Sequence, residues 1–467
     1  MSTNLNSTSQ YGPQLDKLRN MGVIAAIAGI VIAAGTLLGS LNAPVNTDYL
    51  NQNVPAHTQE GMARFYQAYL FAWLFWTGVT WGPVALLLLH NTVGGGWGFV
   101  LKRQLTAATE NLPLMAALFL PLLIRWPGSE YTGLQYIYPW ATPKAPEYAN
   151  HHVVQHQQDF MGGWMKTSFV IIRQFIYFAI LMFFAARINK LTWGMNKENA
   201  ARNVEKLNQM SPISIVIYVI IVTLWAIDLI MTITPGWVTS IIGLLFVVGQ
   251  GLSSWALFAA LTSYVAGGKP PLSQVPTRYI RDIGNFTLAF TLLWSYMSYS
   301  QFLITFSGNQ AEEALFYEWR QKGSWQIIGL LLLAAHFILP FLALLSSSVK
   351  TNINSLAKLG LIIIFMRFVD LYYWTAPTWN AQIRIDRILM DIGLPLAIGG
   401  IWIALWATNM KDKPLVPEDD HRLHGAWPLE HHHEHVAEGY EEVPEENEPH
   451  AEVAGVEVSG RKAEGHV

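Results

Sequence analysis

Long apolar stretches, separated by polar segments, dominate the hydropathy pattern of the chain. About ten of them are candidates for membrane-spanning helices, which need roughly 20 apolar residues to cross the hydrocarbon core. They lie near Met21 to Leu41, Phe65 to Leu89, Leu112 to Ile124, Thr167 to Ile188, Ile213 to Thr234, Thr239 to Ala266, Phe286 to Phe306, Trp325 to Ser347, Leu359 to Ala376 and Ile388 to Thr408. The pattern predicts an all-α polytopic membrane protein with about ten transmembrane helices.

The order of these spans suggests two helix bundles. Spans two to five and spans six to nine each start on the same side of the membrane and run in the same sense. We therefore expect two four-helix bundles, flanked by spans one and ten, with an axis along the membrane normal between them. The repeat is one of topology only, because the two halves show no clear sequence similarity.

The chain divides into three predicted regions. Residues 1–20 form a polar tail, residues 21–410 the membrane domain, and residues 411–467 a tail rich in Glu, His and Pro that we expect to be disordered. With the N-terminus inside, the inside segments carry about 17 basic residues and the outside segments about 8, so both termini are expected in the cytoplasm.

The amino-acid composition excludes several kinds of partner and cofactor. The chain has 467 residues, of which 52% are hydrophobic and only 13% charged, and its net charge of -3 gives no reason to expect nucleic acid as a partner. It has no cysteine, which excludes disulfides, a thiolate nucleophile and an iron-sulfur cluster of its own. Of 14 histidines only His336 lies deep in a predicted span, with His90 at an edge, so a haem held between two histidines is not expected.

Two other segments invite a chemical interpretation. "HNTVGGGWGFVLKRQLTAATENLPLM", residues 90–115, is glycine-rich but lacks the GK[ST] ending of a phosphate-binding loop. We interpret it as a turn and an amphipathic helix in the cytoplasmic interface, with Lys102 and Arg103 facing lipid headgroups. The run "HHHEH", residues 431–435, could bind a divalent metal, but a solvated tail is the preferred interpretation, and no metal site is predicted.

The charged residues inside the apolar stretches are the candidate functional residues, because a charge at mid-bilayer costs about 2.5–3.5 kcal/mol on insertion scales. Arg173 on span four and Asp228 on span five fall at similar depth and are predicted to pair across the two helices. His336 on span eight is predicted to face Arg367 and Asp370 on span nine. Each predicted bundle would thus hold one polar cluster.

Less specific interpretations of these residues stay open. Each arginine–aspartate pair could simply fix the helix register, and His336 could be a hydrogen-bonded core histidine. Asp282 and Asn285 open span seven from the inside; Asp282 is either a helix N-terminal acid or the cytoplasmic mouth of a proton path.

These segments resemble a known family. "GGGWGFVLKRQLTAATENLPLMAALFLPLL", "AIDLIMTITPGWVTSIIGLLFVVGQ", "DIGNFTLAFTLLWSYMSYSQFLITFSGNQAEE" and "RFVDLYYW" are similar to the F subunit of bacterial alternative complex III, a quinol:electron-acceptor oxidoreductase, and more distantly to NrfD-like subunits of polysulfide reductase. By motif, the family's intramembrane polar residues fall here on Asp228, Asp282, Asn285, Arg367 and Asp370.

The resemblance implies a subunit of a respiratory complex in the bacterial inner membrane. The expected partners are a sister ten-helix quinol-binding subunit, an iron-sulfur subunit and c-type haem subunits, which hold the metals. The F-type subunit is expected to carry no catalytic centre and no cofactor, to help carry protons across the membrane, and to be a possible quinone binder. The alternatives are an autonomous secondary transporter and a purely structural membrane anchor.

Overall fold

The computed structural model describes residues 11–41, 60–125, 131–141, 162–234, 237–269, 275–380, 383, 385–417, 420 and 422–423. Apart from an isolated bridge between Arg125 and Thr132, the regular structure of these residues is helical. The α-helices are α1 Gly12–Leu41, α2 Glu60–Val93, α3 Gly96–Thr109, α4 Leu112–Ala117, α5 Gly133–Ile137, α6 Thr167–Trp193, α7 Ala200–Leu229, α8 Ile242–Ala266, α9 Thr277–Gly308, α10 Ala311–Arg320, α11 Gly323–Leu331, α12 Leu339–Leu345, α13 Ser347–Thr351, α14 Ile353–Thr375 and α15 Ile385–Met410.

The shorter elements are of two kinds. 3-10 turns lie at Leu120–Leu122, Pro139–Ala141, Gly162–Met165, Met231–Ile233 and Ala376–Thr378. A π-helix at Leu332–Ile338 joins α11 to α12.

Within the described ranges, eight helical segments are long and apolar enough to cross a membrane. They are Gly12–Gly39, Gly61–Val93, Gly96–Leu122, Thr167–Trp193, Ala200–Ile233, Ile242–Ala266, Gly323–Leu345 and Ile388–Met410. The chain is therefore an all-α, multi-pass membrane protein, as its hydropathy predicted.

The first and last of these segments pack tightly against each other through small residues. A Cβ at Gly22 would lie 2.6 Å from the carbonyl oxygen of Gly400, and one at Gly29 only 2.3 Å from the backbone nitrogen of Ala397. Glycine at these positions thus lets the two backbones touch, which is how helices associate where no water drives them together. The opposite face of α1 exposes Ile24 and Val31, as a lipid-facing surface does.

Helix α8 lies at the centre of the membrane domain. Nearly all of its side chains are buried, and it packs against α2, α7, α9 and α14. Its composition explains this position: glycine and serine at Gly249, Gly251, Ser253 and Ser254 allow neighbours to approach on several sides. The helix ends at Gly267, whose φ of 52° is a left-handed conformation that suits glycine.

Helix α3 corrects the prediction of an interfacial helix. All of its residues are buried, and Lys102, instead of facing headgroups, makes an ion pair of 2.8 Å with Asp420 in which both side chains are 0% exposed. Arg103 donates to the carbonyl oxygen of Thr192 at 3.0 Å. The local amphipathic pattern misled because helices distant in sequence cover α3 and the counter-ion of Lys102 comes from the residues after α15.

The residues after α15 correct the start of the C-terminal tail. Leu415, Val416, Asp420 and Leu423 are all buried, so the first residues beyond position 410 pack on the membrane domain. The ion pair of Asp420 with Lys102, and the few apolar side chains around it, hold this segment. The remainder of the predicted tail, with the run at residues 431–435, lies outside the described residues.

Candidate functional site

Arg173 and Asp228 form a buried ion pair between α6 and α7, as predicted from their depths. Arg173 Nη2 lies 2.7 Å from Asp228 Oδ1, and Arg173 Nε lies 3.1 Å from Oδ2. The two side chains are 5% and 0% exposed. A guanidinium that meets both oxygens of a carboxylate is the strongest geometry such a pair can have.

Further donors surround the carboxylate of Asp228. The Trp164 indole donates to Oδ1 at 3.2 Å, while the Tyr177 hydroxyl at 3.1 Å and the Gln174 amide at 3.3 Å donate to Oδ2. Trp164 also accepts a hydrogen bond of 2.6 Å from Arg173 at its carbonyl oxygen, and its ring lies 4.0 Å from the guanidinium carbon. Both charges of the first site are therefore well satisfied where they are buried.

Arg367 and Asp370 form the second buried ion pair, one turn apart on α14. Arg367 Nη1 donates to Asp370 Oδ2, and the side chains are 8% and 5% exposed. Trp294 of α9 donates its indole N–H to the same oxygen at 3.2 Å, and the Trp374 side chain also interacts with the carboxylate. The two sites thus share one design, in which an aspartate accepts from an arginine and from a tryptophan indole at 3.2 Å.

His336 lies beside the second ion pair, as predicted, and interacts electrostatically with Arg367, but it makes no hydrogen bond to the pair. It is 0% exposed in the π-helix, and its ring packs edge-on against Trp294 with the ring centroids 4.1 Å apart. Trp294, and not His336, makes the facing hydrogen bond to Asp370. Neither ring nitrogen of His336 has a hydrogen-bond partner among the described residues.

A proline explains the local irregularity around His336. Pro340 has no N–H, and its ring would clash with the carbonyl oxygen four residues earlier, which belongs to His336. A π-turn relieves this conflict by shifting the hydrogen-bond register. The sequence carries the signal, since the proline follows the histidine within one predicted span, but hydropathy alone does not use it.

Helix α8 shapes the second site from behind. A Cβ at Gly249 would lie 2.2 Å from Arg367 Nη2, so a larger residue here would displace the guanidinium. The next residue, Gln250, accepts a hydrogen bond from Tyr218, which lies on the same helix as Asp228. Polar groups therefore lie between the helices that carry the two aspartates.

The other two predicted residues lie apart from these pairs. Asp282 is partly buried near the start of α9, and Arg278 and Arg281 act on it electrostatically. Asn285 is exposed one turn further on. The hydrogen bonds of the described residues join neither side chain to Asp228 or Asp370, and their place in a proton path stays a prediction.

Arg320 is a buried charge that the sequence analysis missed. Only 1% exposed, it donates to the carbonyl oxygens of Phe316, Tyr373 and Trp374 at 2.7, 2.9 and 2.6 Å. Burial lowers the pKa of Arg320 to about 9. Its bonds to Tyr373 and Trp374 neutralise the negative end of the α14 dipole. It was overlooked because α10 falls between two predicted spans, where a charge is expected to be exposed.

Fold and sites together define a class: a multi-pass helical membrane protein that keeps two arginine–aspartate pairs inside its helices. No group of three or more metal-binding side chains occurs in the described part of the chain. No protein-family model matches the chain, and no curated protein matches it in sequence.

Proposed function

We propose that this chain is a membrane subunit of a quinol:electron-acceptor oxidoreductase, with cytochrome c as acceptor, in which it contributes to proton translocation and to assembly of the complex. The observation that supports this most is the presence of two buried ion pairs with similar hydrogen bonding, Arg173–Asp228 and Arg367–Asp370. Charges retained inside apolar helices mark ion or proton pathways more often than they mark stability. The sequence resemblance supplies the class of complex.

We propose that two further helices, besides the eight long apolar segments, cross the membrane. Helices α9 and α14, with 32 and 23 residues, are long enough to cross a core of about 30 Å at about 1.5 Å per residue. They coincide with predicted spans seven and nine. Serine, tyrosine and glutamine residues lower the hydropathy of α9, and the charged residues Lys358, Arg367 and Asp370 lower that of α14. We propose ten spans, two four-helix bundles, and both termini on the cytoplasmic side of the bacterial inner membrane.

The two aspartates suit different tasks in this proposal. Protonation of Asp228 would disturb bonds to Arg173, Trp164, Gln174 and Tyr177 together, which holds that site in one state. Asp370 has fewer donors, and those of Arg367 and Trp294 meet on a single oxygen. Asp370 is therefore the better candidate to take up and release a proton, and Asp228 the better candidate to fix helix positions.

The proton path would extend from these pairs through neighbouring polar groups. Tyr218 and Gln250 connect α7 with α8, and Gln250 directly follows the glycine that contacts Arg367. Asp282 is proposed as the cytoplasmic entrance and His336 as a polar group beside Trp294. Quinol oxidation in the sister subunit would supply the protons and the change in conformation that drives them.

The chemistry of electron transfer is assigned to other chains in this proposal. The sister ten-helix subunit, an iron-sulfur subunit and c-type haem subunits would bind the quinol and the metals. This chain would lack a catalytic centre.

Purification tests this membership directly. A tagged copy of the chain, extracted from native membranes in mild detergent, should bring down subunits that give c-type haem absorbance and iron-sulfur signals. Recovery of the chain alone, with solute transport activity in liposomes, would instead support an autonomous transporter.

A structural anchor is the second candidate function, and the dense hydrogen bonding of Asp228 favours it at the first site. As an account of the whole chain, a structural anchor predicts that replacing each buried pair by apolar residues, Arg367 with Asp370 as well as Arg173 with Asp228, leaves all activity of the assembled complex unchanged.

A further inference from the structure

A cavity of about 270 Å³ lies beside the second ion pair, between α9, α10, the π-helix region and α14. Its wall is largely aromatic and apolar, with Trp294 and Phe316 among the lining side chains. Its polar lining residues include Asp370, Tyr317, Tyr373 and Ser298. It adjoins the second ion pair without containing Arg367.

The cavity opens where the surface is apolar. Tyr299 and Leu333, which line it, are 62% and 53% exposed in the isolated chain. Both lie in helices that we propose to span the membrane, where their exposed faces would contact lipid chains. A ligand would therefore enter from the bilayer, and it has to be lipid-soluble.

The walls are held in place from outside the cavity. Arg320 lies 3.4 Å from the centre of the Phe316 ring and donates to the backbone of Tyr373 and Trp374, all three of which line the cavity. The Trp294 ring is fixed between His336 and Asp370. Such support from neighbouring residues is typical of a binding site that is formed before its ligand arrives.

The polar groups define the ligand's chemistry. The hydroxyl of Ser298 is buried without a hydrogen-bond partner among the described residues. Together with two tyrosine hydroxyls and one carboxylate, it offers donors and an acceptor to oxygen atoms on a ring, while aromatic walls suit the flat faces of that ring. The volume holds one substituted ring, and a long apolar tail has to remain in the lipid.

We infer that this cavity binds the head ring of a lipid-soluble quinone or quinol, with ring oxygens near Ser298 and Tyr373 and the tail leaving past Tyr299. The cavity fits a lipid with an oxygen-bearing head ring, and the choice of a quinone among such lipids rests on the proposed function. It adds a location to that function: a quinone site in this chain, directly beside Asp370, separate from the site of the sister subunit.

Gly329 allows a sharp test. It lines the cavity, and a Cβ there would lie 3.0 Å from the Tyr373 hydroxyl, so Gly329→Leu fills the space and leaves both residues of the ion pair in the sequence. Gly35 in α1 is the matched control, because a Cβ there meets no atom within 4 Å. The full chain, in lipid nanodiscs, is titrated with decylubiquinone and with a short-chain menaquinone analogue, and a photoreactive azidoquinone maps the labelled peptides.

The wild type and Gly35→Leu should bind one of these quinones and be labelled within residues 294–302 or 329–337. Gly329→Leu should bind about tenfold more weakly or worse, equivalent to about 1.4 kcal/mol. Tyr373→Phe, which keeps the ring and removes one hydroxyl, should weaken binding about threefold to tenfold.

Three results would overturn the inference: equal affinity in Gly329→Leu and Gly35→Leu, labelling on other helices, or displacement by a saturated fatty acid as effective as by quinone. Because binding is measured on the chain itself, it can fail while co-purification with haem subunits succeeds. The reverse outcome, quinone binding by a chain without redox partners, would refute the proposed function alone.

Discussion

The Arg173–Asp228 pair gives the most quantitative prediction. Asp228→Leu would leave the Arg173 guanidinium buried without its carboxylate, and Trp164, Gln174 and Tyr177 would lose their acceptor. Removing one partner of a buried pair costs about 3–5 kcal/mol. Arg173→Met should cost less, since Asp228 would keep its three other donors. Because each single change leaves an unpaired charge, the double change should be milder than their sum by about 1.5–3 kcal/mol.

The assay is unfolding of the purified chain by SDS in mixed micelles, followed by far-UV circular dichroism. Arg187→Met is the matched control: this arginine lies on the same helix but is exposed, so its loss should change stability by less than about 0.5 kcal/mol. A coupling energy below about 0.5 kcal/mol would refute the reasoning, because it would mean that the two charges do not depend on each other.

Three further predictions concern other parts of the molecule. Gly249→Val should displace the Arg367 guanidinium and destabilise the chain by about 1–3 kcal/mol, measured by the same unfolding assay, and an unchanged midpoint would contradict it. Arg320→Lys should speed hydrogen exchange at the end of α14, because one ammonium group cannot serve three carbonyl oxygens in the planar geometry of a guanidinium, and protection equal to that of the wild type would refute this. Hydrogen bonds and charges from Arg422 and Lys102 overcome the effect of burial and hold the pKa of Asp420 well below its usual range. The stabilisation it provides should therefore persist as pH falls to about 4 and be lost only below that, while Asp420→Asn should remove this acid transition in hydrogen exchange of the segment after α15.

The features that depend on local pattern and depth could be predicted from sequence. Apolar runs identified the helices, since backbone groups in lipid have to be satisfied within each segment. Arg173 and Asp228 could be paired because adjacent spans placed them at equal depth. Arg367 and Asp370 could be paired because residues three apart on a helix share a face.

The features that depend on contacts between distant segments could not be predicted from sequence. The partner of Lys102 is Asp420, and the local sequence around neither residue predicts this ion pair. Depth placed His336 beside the second ion pair, but it could not show that Trp294 of α9, and not His336, donates the hydrogen bond to Asp370. Hydropathy reports how deep a residue lies and says little about the direction in which it points.

The burial of α3 illustrates the same limit. Its sequence, with Lys102 and Arg103 beside apolar residues, fits an interfacial helix on every local criterion. In the structure α3 packs among α2, α6, α8, α9 and α15, and the charge of Lys102 is neutralised by Asp420 from the residues that follow α15. A charge is therefore weak evidence for exposure where another segment can supply its counter-ion.

The most direct test of the account is the number of protons translocated per electron by the purified complex in sealed vesicles, with Asp370→Asn in this subunit. Asparagine preserves the shape of the side chain and removes its ability to bind and release a proton. The account predicts that quinol oxidation continues while the proton-to-electron ratio falls to that of scalar quinol chemistry alone. An unchanged ratio in Asp370→Asn, at an unchanged rate of quinol oxidation, would contradict it.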